Sequence, residues 1–135
     1  MTTGRTVSAS RYVLSLLRFV VAFLFIEHGL QKMFGLLGGF GGPGHTAHFF
    51  SLFWCAGIIE CVGGFLLFFG LFTRPVAFIL CGEMAVVYFY AHFPHSPWPI
   101  ISHGELPALY CFVFLYLLFA GPGPVSLDRL FRKKV

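Results

Sequence analysis

Four long apolar runs, at roughly 12–35, 49–72, 75–93 and 105–120, occupy most of the chain, and short polar or glycine- and proline-rich pieces separate them. The runs are continuous rather than alternating, so each predicts a helix and not a strand of a closed barrel. A helix needs about 20 residues to cross a hydrocarbon core about 30 Å thick, within a range of about 17–25. The first three runs meet that length. The fourth, "ELPALYCFVFLYLLFA", is short unless the stretch around Ile100–Gly104 also enters the membrane. The separators agree with this division. "GGFGGPGH" (38–45) cannot continue a helix, and "TRP" (73–75) makes a tight turn with Pro75 suited to a helix start. "PHSPWP" (94–99) is an extended loop, and "GPGP" (121–124) ends the last span. The pattern predicts an all-α integral membrane four-helix bundle, one domain over residues 1–135.

Composition removes the soluble alternative. The chain is 58% hydrophobic and 10% charged, against about 25% charged residues in a soluble domain. The formal net charge of +4 is local, because "RLFRKK" (129–134) supplies four cations after the last run. Such a tail sits on anionic lipid headgroups, worth about 1 kcal/mol per basic residue. A short basic cluster on so apolar a chain argues against nucleic acid as a partner. The first run exceeds the apolar core of a cleaved signal peptide, about 7–15 residues, and no A-x-A site follows it.

Lysines and arginines set the expected orientation. Arg5, Arg11, Arg74, Arg129, Arg132, Lys133 and Lys134 fall on one side and only Lys32 on the other, so both termini are expected in the cytoplasm. All six histidines then lie on or near the outer side: His28 at the end of the first span, His45 and His48 in the first outer loop, and His92, His95 and His103 around the second.

Each span also carries one glutamate: Glu27, Glu60, Glu83 and Glu105. A strongly polar residue at a helix centre costs roughly 2.5–3.5 kcal/mol on insertion scales. These side chains are therefore expected to face inward, pair, or take up protons. By depth, Arg18 is the natural counter-charge for Glu83 or Glu60. At 100° per residue, Arg11, Arg18 and Lys32 share a stripe within about 40°, while Glu27 points half a circle from Arg18. Gly57 and Gly64 flank Glu60 and invite a close neighbouring helix. The result is a polar column rising to a histidine-rich mouth. It suits protons, a quinone head group or a metal, or else buried ion pairs that fix helix register.

For a metal, the candidates are His28, His92 and Glu60, although the paired Glu-x-x-His of bundle di-iron sites is missing. Trp98, Tyr88 and Tyr90 lie near the outer boundary, where interfacial belts and quinone pockets both use aromatics. No P-loop, GxGxxG or GxSxG occurs, so nucleotide binding and serine hydrolysis are unsupported. Cys55, Cys61, Cys81 and Cys111 form no CxxC and are expected to be inert buried thiols.

Several stretches carry a family resemblance. "RFVVAFLFIEHGLQKMFG" resembles the first span of the DoxX family, with an arginine, an apolar stretch, HG-x-x-K and a glycine. "IIECVGGFLLFFGLFTRPVAF" is similar to its second hallmark, a glutamate before a glycine pair and then G-L-x-T-R. GEMA, a histidine closing the third span, GE opening the fourth and a terminal SLD complete the likeness over about residues 11–128. His103, where asparagine is common, and Pro107 depart from the pattern. By position the resemblance carries over Arg18, His28, Gly29, Lys32, Glu60, Gly63, Gly64, Arg74, Glu83, His92, Glu105 and Asp128.

The resemblance implies a four-helix protein of the bacterial inner membrane. The family is associated with quinone-linked thiosulfate or sulfur oxidation, oxidase complexes and thiol redox homeostasis. The expectation is a redox-associated protein that binds a quinone or similar molecule at a Glu/His site open to the periplasmic side. Glu27, His28, Glu60, Glu83 and Glu105 are the candidate catalytic groups, and Arg18, Lys32, His92 and Tyr90 the candidate binding groups. The alternatives are a non-enzymatic anchor or assembly subunit of an oxidoreductase complex, and a metal-binding or transport protein. Expected partners are the lipid bilayer and either an oxidoreductase subunit or a second copy of the chain.

Overall fold

The computed structural model describes residues 2–132, with side chains from Thr6 onward. Its regular elements are helices: α1 (Thr2–Phe34), α2 (Leu52–Phe69), α3 (Thr73–Val87) running into a π-helical turn (Tyr88–His92), α4 (Pro99–Ser102), α5 (Glu105–Ala120) and α6 (Leu127–Arg132). All four apolar runs became helices. Of these, α1, α2 and α3 with its π turn are long and apolar enough to cross a membrane, and α5 is a shorter apolar helix. The chain is an all-α membrane protein. Of the basic tail, Arg129 and Arg132 stand on α6, while Lys133 and Lys134 lie outside the described residues.

The chain divides into two compact units, Met1–Phe72 with Pro122–Val135, and Thr73–Gly121. The first is built on α1 and α2. Contacts fix their direction: Gly29 lies against Cys61, Gly64 against Ile26, and Arg18 reaches the Phe68 carbonyl, so the helices are antiparallel. Glycine is required at this seam. A Cβ on Gly29 would stand 2.6 Å from the Cys61 sulfur, and one on Gly64 2.6 Å from Ile26 Cγ1. Small residues let membrane helices approach where apolar surface alone gives no preference over lipid. Outward lie Phe23, Val62 and Phe65, each about half exposed, while Ala22, Phe25 and Leu67 are buried. Ser51 caps α2 by accepting from the Trp54 amide at 3.1 Å. Gly70 ends the helix in the left-handed region, φ 67°, with Leu71 N–H returning to the Leu66 carbonyl.

The second unit pairs α3 with α5, again antiparallel, since Cys81 meets Cys111 and both Tyr88 and His92 meet Gly104. Its core is apolar: Leu80, Met84, Phe114 and Leu117 are buried, and Tyr110 stacks on Phe114 one turn later at 5.8 Å. The structure accounts for both departures from the family pattern. His103 sits in the left-handed region, φ 57°, which asparagine and histidine tolerate better than most residues. Pro107 falls in the first turn of α5, where an amide hydrogen has no helical acceptor to lose.

Candidate functional site

The first unit buries a charge pair. Lys32, in the last turn of α1, donates from Nζ to Glu60 Oε1 on α2, and their side chains are 11% and 2% exposed. Gly57 makes the approach feasible, because a Cβ there would stand 3.0 Å from Lys32 Cβ. The glycine pair that flanks Glu60 in the sequence thus does admit a neighbouring helix. The partner that arrives is Lys32, not the predicted Arg18. Helix register explains the difference. Glu60 lies about two turns from the α1–α2 loop end of the seam, level with Gly29, and Arg18 is level with Phe68 at the far end. The second carboxylate oxygen, Oε2, is buried and has no hydrogen-bond partner among the described residues. Buried polar atoms in folded proteins nearly always find one.

Around this pair, His28 stands one turn before Lys32, half-buried and close enough for its charge to act on Glu60. Its Nδ1 lies 2.8 Å from the Leu24 carbonyl, which only accepts, so Nδ1 carries the hydrogen and Nε2 is the acceptor of the neutral ring. Glu27 is half-buried on the neighbouring face. The loop after α1 folds back on this end of the helix, with Ala47 N–H donating to the Lys32 carbonyl at 2.8 Å and Phe40 N–H to the His45 carbonyl at 2.7 Å. This loop forms a cleft of about 920 Å³ lined by Met33, Phe40, His45, His48, Phe49 and Trp54 with neighbouring backbone. The sequence reading passed over this aromatic wall. Its signal was there, in the dense "FFSLFW" directly after the glycine-rich loop.

Arg18 does something else. It is fully buried and donates to the carbonyls of Pro122, Phe68 (3.4 Å) and Val125 (2.8 Å), with Phe19 under its guanidinium at 4.7 Å. Ser15 Oγ accepts from the Val125 amide at 3.1 Å. Asp128 is the carboxylate whose charge it feels, and Asp128 itself accepts from the Phe72 amide at 2.8 Å while its own amide donates to Gly70. Even the αL glycine at 70 belongs to this clamp, because a Cβ there would stand 2.6 Å from Arg18 Nη1. Arginine suits the role, with five donors in a rigid fork for several carbonyls at once.

The second unit holds Glu83, His92, Tyr90 and Glu105. Both carboxylate oxygens of Glu83 are buried. His92 Nδ1 lies 2.8 Å from the Ser102 carbonyl and so donates to it, tying the π turn to α4. Tyr88 donates to the Pro97 carbonyl at 3.2 Å. Tyr90 is 61% exposed, and Glu105 is exposed in the first turn of α5. Glu105 therefore does not face inward within its unit. Its position at a helix N-terminus favours a negative charge without a partner. His28 and Glu60 belong to the first unit and His92 to the second, and among the described residues no group of three or more His, Cys, Asp or Glu converges as a metal site.

Comparison with known proteins adds independent evidence. A protein from Haemophilus influenzae is 44% identical over 130 residues, covering 91% of this chain and 93% of its own length, and bears the name "Uncharacterized protein". A Bacillus subtilis protein named "Putative oxidoreductase CatD" is 30% identical over 123 residues, covering 84% of this chain and 82% of its own. A second Haemophilus influenzae protein, also without a described activity in its name, is 32% identical over 127 residues. No solved structure matches. The DoxX family model matches residues 13–93, which include Arg18, His28, Lys32, Glu60, Glu83 and His92. This chain belongs to the DoxX family.

Proposed function

We propose that this is a multi-pass protein of the bacterial inner membrane, both termini cytoplasmic, that binds a quinone or similar small redox molecule beside Glu60. The observation that carries the reading is the divided carboxylate of Glu60. One oxygen is held by Lys32, and the other is buried without a hydrogen-bond partner among the described residues. Leaving a buried acceptor unmet costs about 1–3 kcal/mol, so a ligand or proton at that oxygen recovers stability. The quinol form donates a hydroxyl hydrogen to Oε2, a quinone carbonyl accepts from Oε2 only once a proton sits there, and the couple supplies two-electron, two-proton chemistry when bound. Lys32 fixes the carboxylate and balances its charge. His28, with Nδ1 committed to Leu24, offers Nε2 as the proton acceptor next in line. The aromatic cleft at the same end of α1 suits a flat ring. The relative named "Putative oxidoreductase CatD" supports redox chemistry in preference to transport.

Glu27 is proposed as a further proton or contact group of this site, and Glu83, Glu105, His92 and Tyr90 as separate proton or contact groups of the second unit. The chain has no nucleotide-binding motif, so electrons are expected to come through an oxidoreductase subunit or a second copy. The test is binding of a short-chain ubiquinone to the purified protein. Glu60→Gln is expected to weaken it at least tenfold, about 1.4 kcal/mol or more. Unchanged affinity refutes the assignment.

A further inference from the structure

Two thiols that no sequence motif connects meet inside the second unit. Cys81 stands on α3 and Cys111 on α5, 30 residues apart in the chain, and their sulfurs are 3.6 Å apart. The Cys111 thiol also reaches the Cys81 carbonyl at 3.5 Å. The expectation of inert thiols rested on the missing CxxC, but an antiparallel pair of helices builds the same juxtaposition across its seam. A disulfide bond is about 2.05 Å long, so the sulfurs need to close by about 1.5 Å.

Access comes from the lipid side. Both cysteines are half-buried and not sealed in the core. Beside Cys81, Gly82 is exposed, and a Cβ there would meet nothing within 4 Å. Beside Cys111, Phe112 is 69% exposed. Cys81 lies near the middle of a 20-residue candidate span, out of reach of charged, water-borne oxidants. A lipid-soluble oxidant is the class that partitions to this depth.

We infer that Cys81 and Cys111 are a redox-active dithiol that closes to a disulfide by reducing a lipid-soluble quinone. Two S–H bonds break and one S–S bond forms. The two thiols are oxidised, and their two protons and two electrons pass to the two carbonyl oxygens of the quinone, which leaves as the quinol. The inference rests on the proposed function only for the identity of the electron acceptor.

The experiment uses the full chain in lipid nanodiscs, reduced, freed of reductant and incubated with decylubiquinone. The protein is then quenched in acid, unfolded, alkylated and weighed. Of the four cysteines, two are expected to escape alkylation, with the mass lowered by two hydrogens and a cross-linked peptide joining Cys81 to Cys111. One quinol should appear per chain. A Cys55→Ser/Cys61→Ser protein should behave identically, and Cys111→Ala should leave its remaining thiols alkylated. Four alkylated thiols after quinone treatment overturn the proposal, even if a synthetic thiol oxidant closes the bond. Glu60→Gln separates the two readings. A disulfide that still forms there, with quinone affinity unchanged from wild type, supports the dithiol alone, and one that forms with the affinity lost supports both readings. Glu60-dependent binding in a protein whose dithiol stays open supports the Glu60 site and defeats the dithiol.

Discussion

In the unit of α1 and α2, three buried ionisable side chains, Arg18, Lys32 and Glu60, sit on a seam that only glycine fits. In the unit of α3 and α5, the buried side chains are mostly apolar, with Thr73 and the carboxylate of Glu83 as polar exceptions, Arg74 is exposed, and Gly82 points into open space. The same architecture, two antiparallel apolar helices, thus carries two kinds of interior. The first fixes its register with charge and close contact, at a high penalty for any single loss. The second relies mainly on apolar packing, with the Cys81–Cys111 pair and Glu83 as its chemically capable groups. A polar interior in a membrane unit is therefore a weak sign of function until one group in it is found unsatisfied. Arg18 also leaves one atom, Nε, buried and unmet among the described residues, but its two terminal nitrogens are spent on three carbonyls, whereas Glu60 has a single partner and a whole carboxylate oxygen to offer.

The contrast predicts a graded set of effects on stability, measured as thermal or denaturant unfolding in detergent. Glu60→Ala strands Lys32 and should destabilise most, by about 3–5 kcal/mol. The Lys32→Met/Glu60→Met double substitution should recover most of that loss, which a merely additive pair would not do. Next comes Arg18→Lys. An ammonium cannot span three carbonyls, and each charged hydrogen bond lost is worth about 1.5–3 kcal/mol. Then Gly64→Ala, which forces a Cβ onto Ile26, should cost about 1–3 kcal/mol. Gly82→Ala in the other unit should be neutral, or stabilising by up to about 1 kcal/mol through helix propensity. If Gly64→Ala and Gly82→Ala behave alike, the two seams do not differ as described. His103→Gly relieves a left-handed backbone and should stabilise by about 1 kcal/mol.

The helices were legible because apolar runs and their Gly/Pro punctuation are local properties, and each run became a helix with ends within a few residues, except that α1 begins at Thr2, ten residues before its run. Gly57 and Gly64 around Glu60 correctly announced a close helix, since small residues at spacings of three and four share a face with it. The identity of the partner was not legible. Which residue of α1 stands level with Glu60 depends on the path of the loop between Phe34 and Leu52, and counting depth from span ends placed Arg18 too near. The Arg18 clamp needed the loop at 122–128 to return to α1, a contact more than a hundred residues apart in sequence. The Cys81–Cys111 pair was hidden for a similar reason, because spacing rules recognise thiols on one segment and not across a helical seam.

The most direct measurement is the infrared difference spectrum of the protein on addition of a short-chain ubiquinone, compared between wild type and Glu60→Gln. If the unmet oxygen of Glu60 receives the ligand or its proton, the wild type shows a carboxyl band that appears or shifts on addition, and Glu60→Gln lacks it. Superimposable spectra from the two proteins, with the ligand bound in both, contradict the account.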